Sequence, residues 1–341
     1  IERARLENAS VILGSATPTI ESYALAKLGK YKLWELPYRP YGMELSSVSV
    51  VDMRDELRLG NRSIVSKEMY DLIEDRLSKN EQVMLFINRR GFNTFVSCRE
   101  CGEVIKCPKC DVSLSLHNNG FMMCHYCGHS INYDGICPTC NGHSLRFGGF
   151  GTQRAESELS EIFEGAKILR MDTDTTMSKS SHEKKLAEFS SGDYDILVGT
   201  QMVAKGLDFP NVTIVGVLGA DSAMYSEDYR SFERTFSLLT QVIGRAGRGE
   251  NSGKAIVQTV NPDSNLIELA RRQDYETFYN EEILTRKLMI YPPYCDICVI
   301  SARSMSRNIA ENTVKQIFDN IKTLLKDEYS DIKLIILGPT A

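Results

Sequence analysis

Eight of the ten cysteines fall within residues 98–140 as four C-x-x-C pairs: Cys98/Cys101, Cys107/Cys110, Cys124/Cys127 and Cys137/Cys140. No other feature limits the fold as much. A segment so rich in thiols folds round metal ions, is stapled by disulfides, or serves redox chemistry. A redox centre needs one pair, not four. Disulfides mark secreted chains, and no signal-peptide pattern opens this sequence. A C-x-x-C turn places two thiolates on one side of a Zn²⁺, and a second turn completes the tetrahedron. Four pairs therefore predict two structural Cys₄ zinc sites.

Three pairings of the turns are possible. Sequential pairing leaves only five residues between the Cys98/Cys101 and Cys107/Cys110 turns, short for turns that approach an ion from opposite sides. Nested pairing puts thirteen residues between the turns of an inner site, Cys107, Cys110, Cys124 and Cys127, a ribbon-like spacing. Cys98, Cys101, Cys137 and Cys140 then close the base of the same hairpin. The nested arrangement is favoured over the crossed one, which stays open. His117, His125, His129 and His143 lie in or beside the segment. With both tetrahedra filled by cysteine they read as surface or supporting residues. No ligand position is left for water, so a rigid binding surface is expected rather than zinc chemistry. Cys295 and Cys298 form a fifth, isolated pair and read as ordinary thiols.

Around this cluster the chain reads as α/β. VILG (11–14) reads as a buried strand, 19–29 as a helix and 48–52 as a strand. Over 66–80, Met69, Leu72, Ile73 and Leu77 share one helical face behind the cap candidate Ser66. VMLFI (83–87) is a continuous apolar strand, as in a parallel sheet covered on both faces. After the cysteines the alternation resumes: helices at 153–163, 182–190 and 231–247, strands at 167–171, 195–199, 212–218 and 255–260. This predicts a doubly wound parallel sheet interrupted after an early strand by the cysteine-rich hairpin. One long helix is expected near 264–289, stopped by YPPY (291–294), then strand 297–303, helix 307–326 and strand 332–337. Both ends of the sequence run into such elements, so a piece of a longer polypeptide is expected.

Hydrophobic (42%) and charged (25%) fractions are ordinary for a globular chain. No apolar run approaches the roughly 20 residues of a membrane helix. A net charge of −5 argues against a generally basic nucleic-acid binder, but leaves room for a local basic groove.

Three glycine-containing segments carry further chemistry. In QVIGRAGRG (241–249), Gln241, Arg245 and Arg248 line one helical face. Phe232, Phe236, Leu239, Ile243 and Ala246 line the buried one. Guanidinium forks among glycines suit a polyphosphate, although cations at a helix end also answer the helix dipole. GTQMVAKGLDFP (199–210) and GSATP (14–18) each follow a strand, where open α/β sheets place ligands.

In this order GSATP, GTQMVAKGLDFP and QVIGRAGRG resemble motifs III, V and VI of superfamily 2 helicases, and FINRRGF (86–92) resembles motif IV. With eight cysteines inserted directly after it, the chain resembles the bacterial replication restart helicases, the primosomal protein N′ family, from about residue 11 to its end. That resemblance implies a second RecA-like lobe over 46–96 and 148–262, a zinc module over 97–147, the end of lobe one plus a connection over 1–45, and a partial α+β C-terminal domain over 263–341. It implies an ATP-dependent 3′→5′ DNA helicase that binds abandoned forks and initiates primosome assembly. Ser15, Ala16 and Thr17 would couple nucleotide state to DNA, Thr200 and Gln201 would lie on the DNA side, and Gly206 and Asp208 nearer the nucleotide. Gln241, Arg245 and Arg248 would face ATP, with Arg248 the better candidate for an arginine finger. The cofactors implied are two Zn²⁺, plus ATP and Mg²⁺ in the full-length protein. The implied partners are forked or single-stranded DNA, primosome proteins and single-stranded DNA-binding protein, in the bacterial cytoplasm at the nucleoid and away from membranes.

The sequence departs from the family in places. It contains no G-x-x-x-x-G-K-[ST] phosphate loop and no D-E-x-H, so the chain alone is expected to be inactive. Gln153 also stands where the family usually has Glu. The rival reading is a non-enzymatic zinc-ribbon module that binds DNA or protein on a RecA-like scaffold. The arginines of 241–249 speak against it, since a pure binding module has no use for them.

Overall fold

A computed structural model describes residues 1–36, 47–87, 96–108, 113–116, 120–124, 129–147, 151–172, 179–200, 209–225, 228–246 and 253–338. The described chain forms two compact units.

The first unit is built on a parallel sheet. Short helices α1 (Glu2–Leu6) and α2 (Ile20–Lys27) come first, α2 capped by the Thr19 side chain. Strand β1 (Ser47–Asp52) leads into α3 (Met53–Arg58), which the sequence reading missed. Its start is fixed by Asp52, whose carboxylate accepts the Arg54 N–H at 2.8 Å. Helix α4 (Lys67–Ser78) follows, with Ser66 as its cap and Met69 and Ile73 fully buried. Strand β2 (Gln82–Ile87) is buried at all six residues. Val83, Leu85 and Ile87 pack in one cluster with α4, while Met84 and Phe86 are equally buried on the other face. Both-face burial of this kind explains the unbroken apolar run.

Between β2 and the next sheet strand lie five short strands of the second unit: β3 (Val96–Cys98), β4 (Ser115–Leu116), β5 (Phe121–Met123), β6 (Ser130–Asn132) and β7 (Leu145–Phe147). The first unit then resumes with α5 (Thr152–Ile162), β8 (Ile168–Met171), α6 (Lys179–Ser190), β9 (Ile196–Gly199), β10 (Val212–Leu218), α7 (Ser231–Ile243) and β11 (Lys254–Thr259). The strand order is β1-β11-β10-β2-β9-β8, with every pairing parallel. The chain leaves β2 for β8 at one edge, comes back through β9, and crosses to β10 on the other side of β2. The C-terminal ends of β2 and β10 therefore flank the topological switch point, the usual ligand crevice of such sheets.

Gln258, 1% exposed in β11, ties this unit together. Its Oε1 accepts the Ser66 N–H at 2.7 Å and its Nε2 donates to the Ile64 carbonyl at 2.7 Å. Leucine at this position strands two buried backbone groups. Gln258→Leu is expected to lower the unfolding free energy by about 2–4 kcal/mol in a urea titration. A loss below about 1 kcal/mol would show that water replaces both partners.

Four sequence expectations fail. Residues 11–14 form no strand, and Ile12 is 95% exposed. Residues 297–303 and 332–337 form none either, although the helix between them, α10 (Arg307–Asp327), is present. A strand exists only where a neighbour takes its N–H and C=O groups, and none of the described strands pairs with these segments. The long helix near 264–289 is two helices, α8 (Asn265–Arg272) and α9 (Tyr275–Leu288). Gln273 adopts a left-handed φ of 57°, and Asp274 restarts the chain by accepting the Thr277 N–H at 3.1 Å. No helix is long and apolar enough to cross a membrane among the described residues.

Candidate functional site

The second unit contains an antiparallel ribbon. β3 pairs with β7, Cys98 opposite Leu145, so the chain enters and leaves the ribbon side by side. β4, β5 and β6 form a three-stranded sheet further along. Its core consists of Val96, Ile105, Leu114, Met122 and Leu145 together with Cys98, Cys107, Cys124 and Cys137.

Two equivalent turns build the metal site. Cys98 accepts on its carbonyl from Gly102 at 2.9 Å and donates its N–H to the Glu103 carbonyl at 2.8 Å. Cys137 repeats the pattern with Asn141 and Gly142, both at 2.9 Å. The pattern needs a left-handed residue one step after each second cysteine. Gly102 (φ 80°) and Asn141 (φ 57°) supply it, the two residue types that tolerate that region best. The Glu100 N–H points at Cys98 Sγ, 3.4 Å away. Glu100 also braces the turns against each other, its carboxylate accepting the Ser144 N–H at 3.1 Å. Ser144, through its side chain first and this backbone bond second, holds the Glu100 carboxyl below its ordinary value, with a smaller effect from His143.

The Sγ atoms of Cys98, Cys101, Cys137 and Cys140 all lie within 4.8 Å of one another. Cys98–Cys140 and Cys101–Cys137 are separated by 3.6 and 3.7 Å. A disulfide would need about 2.0 Å. A tetrahedron with metal–sulfur bonds of about 2.3 Å has edges of about 3.8 Å, so the four thiols fit a zinc ion. Burial pushes the Cys101 thiol up to about 12, and the neighbouring thiols add to the effect. Four crowded thiols ionise together only with a cation between them. Cys107 and Cys124 are fully buried in the same core, while Cys110 and Cys127 lie outside the described residues.

The first unit holds the remaining candidates. Ser15 and Ala16 are exposed and Thr17 is buried, with Ser15 Oγ accepting the Thr17 N–H at 3.1 Å. Thr17 Oγ1 shares a hydrogen bond with Ser237 Oγ at 2.8 Å, and Gln241 Nε2 donates to the same Ser237 Oγ at 2.9 Å. The segment GSATP and the helix leading to QVIGRAGRG thus meet on one serine. Arg245 is half-buried in the turn after α7, its N–H donating to the Val242 carbonyl at 3.0 Å. The α7 face holds for Phe236, Leu239, Ile243 and Ala246, but Phe232, in the first turn of the helix, is 45% exposed. Thr200 extends the β8–β9 pairing by donating its N–H to the Met171 carbonyl at 3.3 Å. Beside Gln153, Thr152 Oγ1 donates to the Asp172 carboxylate at 2.5 Å and anchors α5 at the end of β8. Gln201, Gly206, Asp208 and Arg248 lie outside the described residues.

Sequence reasoning missed Ser237, Glu233 and Arg286. For Ser237 a signal existed, since it sits four residues before Gln241 on one helix face.

Residues 148–250 match the model of the helicase conserved C-terminal domain, and residues 107–131 match that of the PriA DNA helicase Cys-rich region domain. The cysteine-rich region is a zinc-binding ribbon on a RecA-like lobe. The chain is 47% identical over 342 aligned residues to the replication restart protein PriA of Bacillus subtilis, covering 100% of this chain and 42% of the relative. It is 42% identical to the protein of the same name from Synechocystis, covering 99% and 41%. With that of Thermotoga maritima it shares 36% identity over 96% and 42%. The chain therefore spans about two fifths of the length of these relatives. Aligned with them along almost all of its own length, and carrying their Cys-rich region between the halves of a parallel helicase sheet, it belongs to the PriA family of replication restart proteins.

Proposed function

We propose that this chain is the second motor lobe and zinc module of an ATP-dependent 3′→5′ DNA helicase, one that binds abandoned replication forks and initiates primosome assembly. The observation that carries this reading is the meeting of Thr17 and Gln241 on Ser237. A segment resembling motif III and one resembling motif VI touch through a shared hydroxyl, as a relay between DNA and nucleotide requires. In this reading residues 46–96 and 148–262 form the lobe, 97–147 the zinc module and 263–341 the start of a further domain. Two Zn²⁺ ions are bound, one by Cys98, Cys101, Cys137 and Cys140 and one by Cys107, Cys110, Cys124 and Cys127. Ser15, Ala16, Thr17, Thr200 and Gln201 serve DNA and coupling. Gly206, Asp208, Gln241, Arg245 and Arg248 serve the ATP and Mg²⁺ held by the other lobe. Forked and single-stranded DNA, primosome proteins and single-stranded DNA-binding protein are the partners, in the bacterial cytoplasm at the nucleoid.

Steady-state ATP turnover tests the reading. The whole protein hydrolyses ATP in a manner stimulated by single-stranded DNA and unwinds a fork. This chain alone, without a phosphate loop, gives no turnover above background. Measurable DNA-stimulated hydrolysis by the chain alone would overturn the division of labour between lobes.

A further inference from the structure

Arg286 of α9 is fully buried and sits against three carboxylates from three elements. Its Nε donates to Glu282 one turn earlier at 2.9 Å. One Nη reaches Glu233 of α7 at 2.6 Å, and the other reaches Glu21 of α2 at 3.0 Å. The Tyr229 ring lies 5.1 Å from the guanidinium carbon, and the Tyr229 hydroxyl also donates to Glu21, at 3.4 Å. Burial pushes the Glu282 carboxyl above its ordinary value, against the opposing pull of Arg286.

An apolar cluster of similar volume would hold these helices at least as firmly, since desolvating charges is costly. A guanidinium supplies direction instead. Its donors form a rigid fork, so each partner has one allowed position. The two outer carboxylates lie where position matters. Glu233 also accepts the Ile20 N–H at 3.2 Å, pinning the first residue of α2. Glu21 is the next residue along. Three residues before Ile20 stands Thr17, and one turn after Glu233 stands Ser237, the pair that meets at 2.8 Å.

We propose that Arg286 is a positioning residue for the motor. By holding Glu21 and Glu233 on one guanidinium it sets α2 against α7, so that Thr17 meets Ser237 and Ser237 orients the Gln241 amide. Ser237 is the second positioning residue in the same path. The inference rests on the reading of Gln241 as a nucleotide-facing group.

The test uses the whole protein with saturating single-stranded DNA. Ser237→Ala lowers kcat for ATP about tenfold, with the KM for ATP and the thermal midpoint unchanged. Ser237→Thr, which keeps the hydroxyl, restores most of the rate. Arg286→Lys keeps the cation but loses the three-way fork and lowers kcat to a similar extent. Because both act through Gln241, the double variant is no slower than the worse single one. Wild-type kcat in Ser237→Ala, no rescue by Ser237→Thr, or multiplied losses in the double variant would overturn the proposal. Should Arg286→Lys fail to fold, the two Ser237 variants still decide. A wild-type protein without DNA-stimulated turnover would remove the motor reading itself, a distinguishable result.

Discussion

Cys137→Ser is expected to halve the zinc content of the purified chain, from two ions to one, by elemental analysis. Cys137 is fully buried, donates its N–H to its own turn, and faces Cys101 across the site. A serine hydroxyl is a poor ligand for zinc at neutral pH, and three thiolates do not close a structural tetrahedron. Structural zinc contributes about 10–16 kcal/mol of apparent folding energy, more than the few ordered layers of this ribbon supply otherwise. Amide exchange at the base of the ribbon, over residues 96–104 and 137–147, should accordingly become fast in the variant. The sheet keeps its protection, since its core around Val83, Leu85 and Ile214 shares no residue with the ribbon core. Cys298→Ser serves as the control, an exposed thiol outside the cluster, and leaves the content at two. A wild-type stoichiometry of one, or an unchanged count in Cys137→Ser, would refute the two-site assignment.

The second large effect concerns Arg248. In the whole protein, Arg248→Ala should cut DNA-stimulated ATP hydrolysis by about a thousandfold, the scale on which arginine fingers act. Zinc content stays at two, so the loss is not one of folding. Arg245→Ala is expected to fall less steeply, because a half-buried residue in the turn after α7 has a structural part to play as well. Normal turnover in Arg248→Ala would move the finger to Arg245 or out of the segment altogether.

Much of the sheet was legible because its signals are local. The apolar runs at 83–87 and 212–218 need no partner to be recognised, and Ser66 announces α4 by itself. The zinc site was legible for a similar reason, since C-x-x-C spacing fixes half of a tetrahedron within one turn. Tertiary choices were not legible. Glu21, Glu233, Glu282 and Arg286 look in the sequence like solvated helix positions. Their burial depends on three helices converging, and only the four-residue spacing of Glu282 and Arg286 hints at a pair. Strand expectations at 11–14, 297–303 and 332–337 failed because apolar runs show a wish to be buried, not the neighbour that would do it. The break at Gln273 was hidden because no glycine or proline marks it.

The direct pairing of β3 with β7 has a consequence for the sheet that hosts the ribbon. With entry and exit held together at Val96 and Phe147, the excursion between β2 and α5 weighs on the sheet like a connection of about a dozen residues. If the metal is lost and the ribbon melts, the same excursion becomes an open loop of about 60 residues. Lengthening a flexible loop about fivefold raises its closure cost by roughly 1.4 kcal/mol. Zinc in the ribbon would thus stabilise the sheet through the chain that joins them, as an entropic clasp on the polypeptide.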